Sequence, residues 1–142
     1  MASINFFTEE VSYTLKHKRI LRDWLQLVST QSGIQISNLN YIYCSDNYLL
    51  EINKTYLNHD YFTDIITFDN REDQGSPIDA DLFISIDRVR ENAKTANASF
   101  QHELHRVMVH GLLHLLGQND KTEAQQNAMT KREEASLSLL HI

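Results

Sequence analysis

The run His110-Gly111-Leu112-Leu113-His114-Leu115-Leu116-Gly117-Gln118-Asn119-Asp120 restricts what this chain can fold into more than any other stretch. Two histidines four residues apart lie one turn apart on the same face of an α-helix, so their imidazoles can converge on one point. Gly117 then stops the helix, because glycine tolerates the left-handed backbone of a C-cap. The chain is free to double back there and to carry Asp120 toward the two rings. Two helical imidazoles, a glycine turn and a third ligand are the three legs of a tetrahedron in the extended zincin pattern, with a fourth position left for water or substrate. The spacing therefore predicts one metal ion held by His110, His114 and Asp120. Zn²⁺ suits two imidazoles and a carboxylate best, and Fe²⁺, Mn²⁺ and Ni²⁺ accept the same donors.

Two histidines at this spacing on an apolar helix are, in general, more often packing or surface residues than ligands. The glycine stop and the correctly spaced acid tip the balance here. Position 111, where a zinc protease carries its general-base Glu, is Gly, so peptide hydrolysis by that route is not expected. A glycine inside a helix costs roughly 1 kcal/mol relative to Ala and calls for a reason, such as the close approach of another segment or of a substrate. His105 and His102, about one and two turns before His110, read either as support behind a ligand or as polar surface. His17 and His141 carry no signal.

The rest of the chain reads as one α/β (α+β) domain over residues 1–142. Strands are expected over Ile4–Thr8, Leu39–Cys44, Ile65–Phe68 and Leu82–Ser85, where β-branched and aromatic residues cluster or alternate. Helices are expected over about His17–Ser32, from a Ser45 or Asp46 cap to about Tyr56, and over Asp87–Asn97, Phe100–Leu116 and Thr122–Leu140. Leu57–Phe62 reads as a loop, and Asn70–Asp79, which holds Gly75, Ser76 and the single Pro77, as an irregular connection or hairpin arm. About four strands in a mixed sheet with about five helices, the metal helix lying toward the C-terminus, give a metzincin-like arrangement.

With 13 basic and 19 acidic residues the formal charge is −6, which argues against a general nucleic-acid coat but leaves room for a local basic patch. Lys16, Lys18, Arg19 and Arg22 form one such cluster, and Arg88, Arg90 and Lys94 another. Each is a candidate phosphate track, with an ordinary solvated face as the commoner reading. Cys44 is the only cysteine, so no intramolecular disulfide is possible and the cytosol is the expected compartment. Its place in an expected strand suits packing. The opening ten residues lack a basic leader region, and no apolar run approaches the ~20 residues of a bilayer span, so a soluble, unprocessed protein without membrane contact is expected.

The histidine run resembles the signature of the YbeY endoribonucleases, or rRNA maturation factors, His-Gly-x-Leu-His-Leu-x-Gly-Tyr-Asp-His, matched by His110, Gly111, Leu113, His114, Leu115 and Gly117. Thr63-Asp64-Ile65-Ile66-Thr67-Phe68 is similar to the family's Thr-Asp-Val-Leu-Ser-Phe strand, and Asp81-Leu82-Phe83-Ile84-Ser85, Glu103-Leu104, Met129 and Glu133 continue the likeness. It covers roughly residues 51–134; the first fifty match in general layout only. The resemblance implies a metal-dependent endoribonuclease of one domain, acting on single-stranded RNA in the bacterial cytoplasm during late ribosome maturation and small-subunit (16S) rRNA 3′-end processing. Ribosomal RNA and the small ribosomal subunit are then its partners, with no DNA expected.

Three departures from the family pattern stand out. Asp120 replaces the last His, a change that a zinc site accepts. Leu57 stands where the family has an arginine that would clamp phosphate. Arg106 lies one turn before His110, where the family tends to have His, and could hold a phosphate oxygen in its place; the plainer expectation is that it pairs with Glu103. A bound metal could supply the nucleophile without a protein base, or Asp64 or His59 could act as base, and the residues do not choose between them. Tyr56, Tyr61 and Phe62 surround Leu57 and either stack on bases or belong to the core. A ribosome-biogenesis factor that binds RNA around a structural metal, with weak or no hydrolase activity, is the alternative, and a hydrolase of other substrates is a third reading.

Overall fold

The computed structural model describes residues 2–142. It contains β1 (Ser3–Glu9), α1 (Lys18–Gln31), β2 (Ile36–Cys44), α2 (Asp46–Leu57), β3 (Ile65–Asp69), β4 (Ile78–Ser85), α3 (Ile86–Thr95), α4 (Phe100–Leu115) and α5 (Glu123–Leu137). The strands form one sheet in the order β1-β2-β4-β3. β1, β2 and β4 run parallel, and β3 pairs antiparallel with β4, so the sheet is mixed as expected. The helical turns that join parallel neighbours follow from geometry, because a parallel pair cannot be closed by a tight hairpin.

Alternation along the strands assigns each side chain a face. Leu39, Tyr41 and Tyr43 of β2 and Ala80, Leu82 and Ile84 of β4 point into the main core, which they share with Leu21, Trp24 and Leu25 of α1, Leu104, Met108 and Leu112 of α4 and Met129 of α5. The opposite face carries a smaller cluster, Cys44, Leu49 and Ile66, with Phe68 and Phe83 packed on it beneath α2. Cys44 is buried, and burial pushes its thiol up to about 12, as a packing cysteine requires. The two buried tyrosines of β2 reach α4, where Tyr41 Oη donates to the Met108 carbonyl at 2.8 Å and Tyr43 Oη lies 3.3 Å from Met108 Sδ. These bonds fix how far along the sheet α4 sits.

Helix starts obey their caps. Ser45, Ser85 and Ser99 each accept the backbone N–H three residues on, and Thr122 and Gln125 form a full capping box. The expected boundaries shift at two strands. β4 begins at Ile78 rather than Leu82, and β2 at Ile36 rather than Leu39. In the β4 extension polar residues alternate with apolar ones: Asp79 and Asp81 face away from the core while Ile78 and Ala80 face into it, and Asn40 donates to Asp81 across the strands at 2.9 Å. In the β2 extension Ser37 and Asn38 are both polar, and the register with β4 shifts between Ile36 and Asn38. The last helix ends at Leu137 rather than Leu140, and Leu139 and Leu140 fold back against the core as coil. Among the described residues no helix is long and apolar enough to cross a membrane.

Candidate metal centre

α4 places His110 and His114 on its half-exposed face, with ring centroids 5.0 Å apart and planes crossing at 80°. The helix stops at Leu116, and Gly117 takes a left-handed φ of 102°, a conformation a side chain at this position would resist. The turn brings Asp120 back so that its Oδ2 lies 3.5 Å from His110 Nε2 and 3.3 Å from His114 Nε2. Donors on a tetrahedron with arms of ~2.0–2.1 Å are spaced about 3.3–3.4 Å apart, so the three atoms already have the separations of ligands around a small divalent ion. All three offer one donor atom within 4.8 Å of the others, which makes them a group that could hold a metal.

His110 is oriented from behind. Its Nδ1 lies 2.5 Å from Glu133 Oε2, a buried carboxylate on α5. An ionised carboxylate only accepts, so Nδ1 carries the hydrogen and Nε2 keeps its lone pair toward Asp120. Glu133 in turn accepts from Arg106 at 3.2 Å, and Arg106 donates to both oxygens of buried Glu103, at 2.9 and 2.7 Å. The guanidinium is thus spent on two carboxylates, which raise its already high pKa further. The plainer expectation for Arg106 is the one met: it braces the site rather than offering a free grip for phosphate.

The interior glycine of α4 also has its reason. A Cβ on Gly111 would stand 2.4 Å from Leu82 Cδ2 and 2.8 Å from Ile65 Cδ1, so α4 rests directly on β3 and β4 at the level of the two histidines. At the other end of the helix, Arg71, its side chain almost fully buried, donates to the Leu115 carbonyl at 2.6 Å. It is held there by Asp69, which accepts from both Nε and Nη2, at 2.9 and 2.8 Å. Those bonds hold the Asp69 carboxyl below the usual carboxylate range. A cation on a C-terminal carbonyl also answers the helix dipole.

The three donors line one side of a cavity of about 580 Å³, within the usual span for ligand sites of about 300–1,000 Å³. His59, Tyr61, Thr63, Asp64 and Asp69 add polar groups to its lining, and Leu57 an apolar one. Burial pushes the Asp64 carboxyl up, against the pull of Arg106 and His110. No lysine or arginine is among the lining residues. Tyr56, Tyr61 and Phe62 are about half exposed or more and not core. The second basic cluster is engaged: Arg88 pairs with Asp46 and covers Phe62, Arg90 covers Phe100, and Lys94 lies 3.6 Å from Glu91; in the first, Arg22 donates to the Ile4 carbonyl and covers Phe6. His105 is buried against the edge of Trp24, away from the cavity.

An α+β domain in which the next-to-last helix, α4, presents two imidazoles and the turn after it returns a carboxylate to an open cavity defines the class: a mixed-sheet fold with a candidate metal centre. The profile described as endoribonuclease YbeY matches residues 3–141, and the chain belongs to that family. It is 50% identical over 137 residues to endoribonuclease YbeY of Cytophaga hutchinsonii, covering 96% of this chain and 95% of the relative. It is 46% identical to endoribonuclease YbeY of Amoebophilus asiaticus, covering 93% and 89%. The solution structure of TM1509 from Thermotoga maritima superposes with a TM-score of 0.64 over 95% of this chain and 89% of that one, at 23% identity, and shares the fold. The likeness thus extends through the first fifty residues, where sequence motifs alone showed only layout.

Proposed function

We propose that the chain is a metal-dependent endoribonuclease that cleaves single-stranded RNA, with His110, His114 and Asp120 as the protein ligands of one ion, zinc in the first instance. The observation that carries this is the convergence of three donor atoms, at ligand spacing, on the wall of an open cavity. Naming of the relatives as endoribonucleases supports the hydrolytic reading over a binding factor with a purely structural metal. When bound, a divalent ion supplies Lewis-acid polarisation of a phosphoryl oxygen.

The chain's own residues do the remaining work. Glu133 holds the His110 ring by Nδ1, and Arg71 holds the end of α4 from which the chain turns to Asp120. Asp64 and Asp120 line the cavity and no lysine or arginine does, so a phosphodiester meets no cationic side chain on its wall until a cation is present. Metal should therefore control RNA binding at this site as well as cleavage. Asp64 and His59 are the rim groups able to take or give a proton. Maturation of ribosomal RNA on the small subunit in the bacterial cytoplasm is the role proposed, by analogy with the family.

The test is elemental analysis of purified protein beside a digestion assay on single-stranded RNA, repeated on His110→Ala and Asp120→Ala. Loss of both metal and cleavage in each variant is expected. Undiminished metal content in either one overturns the ligand assignment.

A further inference from the structure

On the rim of the cavity that the three donors line, two aromatic rings form a stack of their own. The His59 and Tyr61 rings lie 5.1 Å apart with planes 20° from parallel, joined at their edge by a 2.9 Å hydrogen bond between Tyr61 Oη and His59 Nδ1. Neither packs into a hydrophobic cluster: His59 is exposed, and Tyr61 keeps 55% of its surface. An exposed tyrosine alone is ordinary. This one is held rigidly. Asn53, itself buried in α2, donates its side-chain amide to the Tyr61 carbonyl at 2.9 Å and accepts the His59 N–H on its own carbonyl at 3.1 Å. One buried residue thus grips the segment at both ends, while Asn58, in the left-handed conformation at φ 56°, turns the chain out of α2.

Both rings line the cavity that holds the three donor atoms. We infer that the His59 and Tyr61 stack is the platform for an unpaired nucleobase next to the scissile phosphate, and so the element that selects single-stranded substrate. The inference rests on the endoribonuclease reading and deepens it. A flat pair with free outer surface accepts a third ring of any base, since every base has a π-face. A base inside a duplex has both faces covered by its neighbours and cannot join the stack. Because no lysine or arginine lines the cavity, affinity for the nucleotide must come from the ion and from such a stack. The pinning by Asn53 means little ordering remains to be done when the base arrives.

The experiment is steady-state cleavage of a short unpaired RNA, and of the same RNA within a duplex, by the metal-loaded full chain and by Tyr61→Ala, Tyr61→Trp and His59→Ala, with metal content and Tm recorded for each. For Tyr61→Ala, KM on the unpaired RNA should rise about tenfold or more, the usual cost of removing a stacking ring, while kcat stays within about twofold. The preference for unpaired over paired RNA should fall by a similar factor. Tyr61→Trp should restore wild-type KM, which a merely structural role in the loop would not allow. Tyr61→Ala and His59→Ala cleaving with wild-type KM and wild-type strand preference would overturn the platform and leave the nuclease standing. A metal-loaded wild-type chain that cleaves no RNA would remove the reading beneath it, and the platform with it.

Discussion

Glu133, on the last helix, reaches across to His110 of the candidate metal centre, its Oε2 lying 2.5 Å from Nδ1, while its other oxygen accepts from Arg106. One carboxylate thus sets both the tautomer and the ring orientation of His110 and ties the site to the buried Glu103 and Arg106 pair. Partners of this kind are worth about 10–100-fold in metal affinity in other sites. Glu133→Ala should lower zinc affinity by about that factor, and Glu133→Gln, which can still accept the bond without its charge, by about tenfold or less. Competition with a chromophoric chelator measures both. Equal affinities for wild type and Glu133→Ala would show that the His110 ring needs no such support.

Gly111 makes the opposite kind of contribution, by what it leaves out. Alanine there gains roughly 1 kcal/mol of helix propensity but must push a methyl into buried Leu82 and into Ile65. Overpacking of a tight core costs typically about 1–3 kcal/mol, so the net change for Gly111→Ala should be destabilising by up to about 2 kcal/mol. Urea unfolding gives the value. Because the clash lies between the two histidines, metal affinity should fall as well; a variant more stable than wild type would show that α4 has room to move.

The convergence of His110, His114 and Asp120 was readable in the sequence because its constraint is local: spacing on one helix, a glycine stop and a short return. Strand positions were readable where apolar residues alternate without interruption, as in Tyr41 and Tyr43, and were missed where aspartates occupy the solvent side, as at Asp79 and Asp81. What sequence could not show is contact between segments far apart in the chain. Glu133 lies 23 residues from His110, and its bearing on the ring follows from how α5 crosses α4. The reason for Gly111 was legible as a kind, close approach, but not its partners. Arg106 shows the limit from the other side: helical periodicity put it on the right face, and only packing revealed two buried carboxylates that claim it.

Arg71 is a second such case, since nothing in the irregular stretch between β3 and β4 marks it. Its guanidinium joins Asp69, the Gln74 and Ser76 carbonyls and the Leu115 carbonyl, binding the β3 to β4 connection to the end of α4. Arg71→Ala removes these bonds together and leaves the Leu115 carbonyl without its partner, a loss of about 2–3 kcal/mol. Lysine should not rescue it, because a point charge cannot reproduce the fork. Hydrogen exchange should quicken through residues 70–77 and in the last turn of α4. Protection unchanged in both places would mean that the hairpin is held by its strand ladder alone.

His105 gives the chain an acid sensitivity that is separate from the metal centre. Burial against Trp24, with positive potential from His102 and His17 added, lowers its pKa to about 4, and its Nε2 has no hydrogen-bond partner. A base with a folded pKa below its unfolded value of about 6.5 binds fewer protons when folded. Stability is therefore complete above about pH 6.5 and declines as pH falls through the window down to about 4, because the unfolded chain takes up the proton first. Allowing for solvent screening, the loss should be on the order of 2 kcal/mol across that window. His105→Leu keeps the volume, removes the orphaned nitrogen and should flatten this part of the stability curve while costing little at pH 7. Chemical unfolding of metal-free protein at pH 7, 5.5 and 4.5 reads the slope directly. If His105→Leu kept the wild-type slope, the acid sensitivity would have to arise from another group.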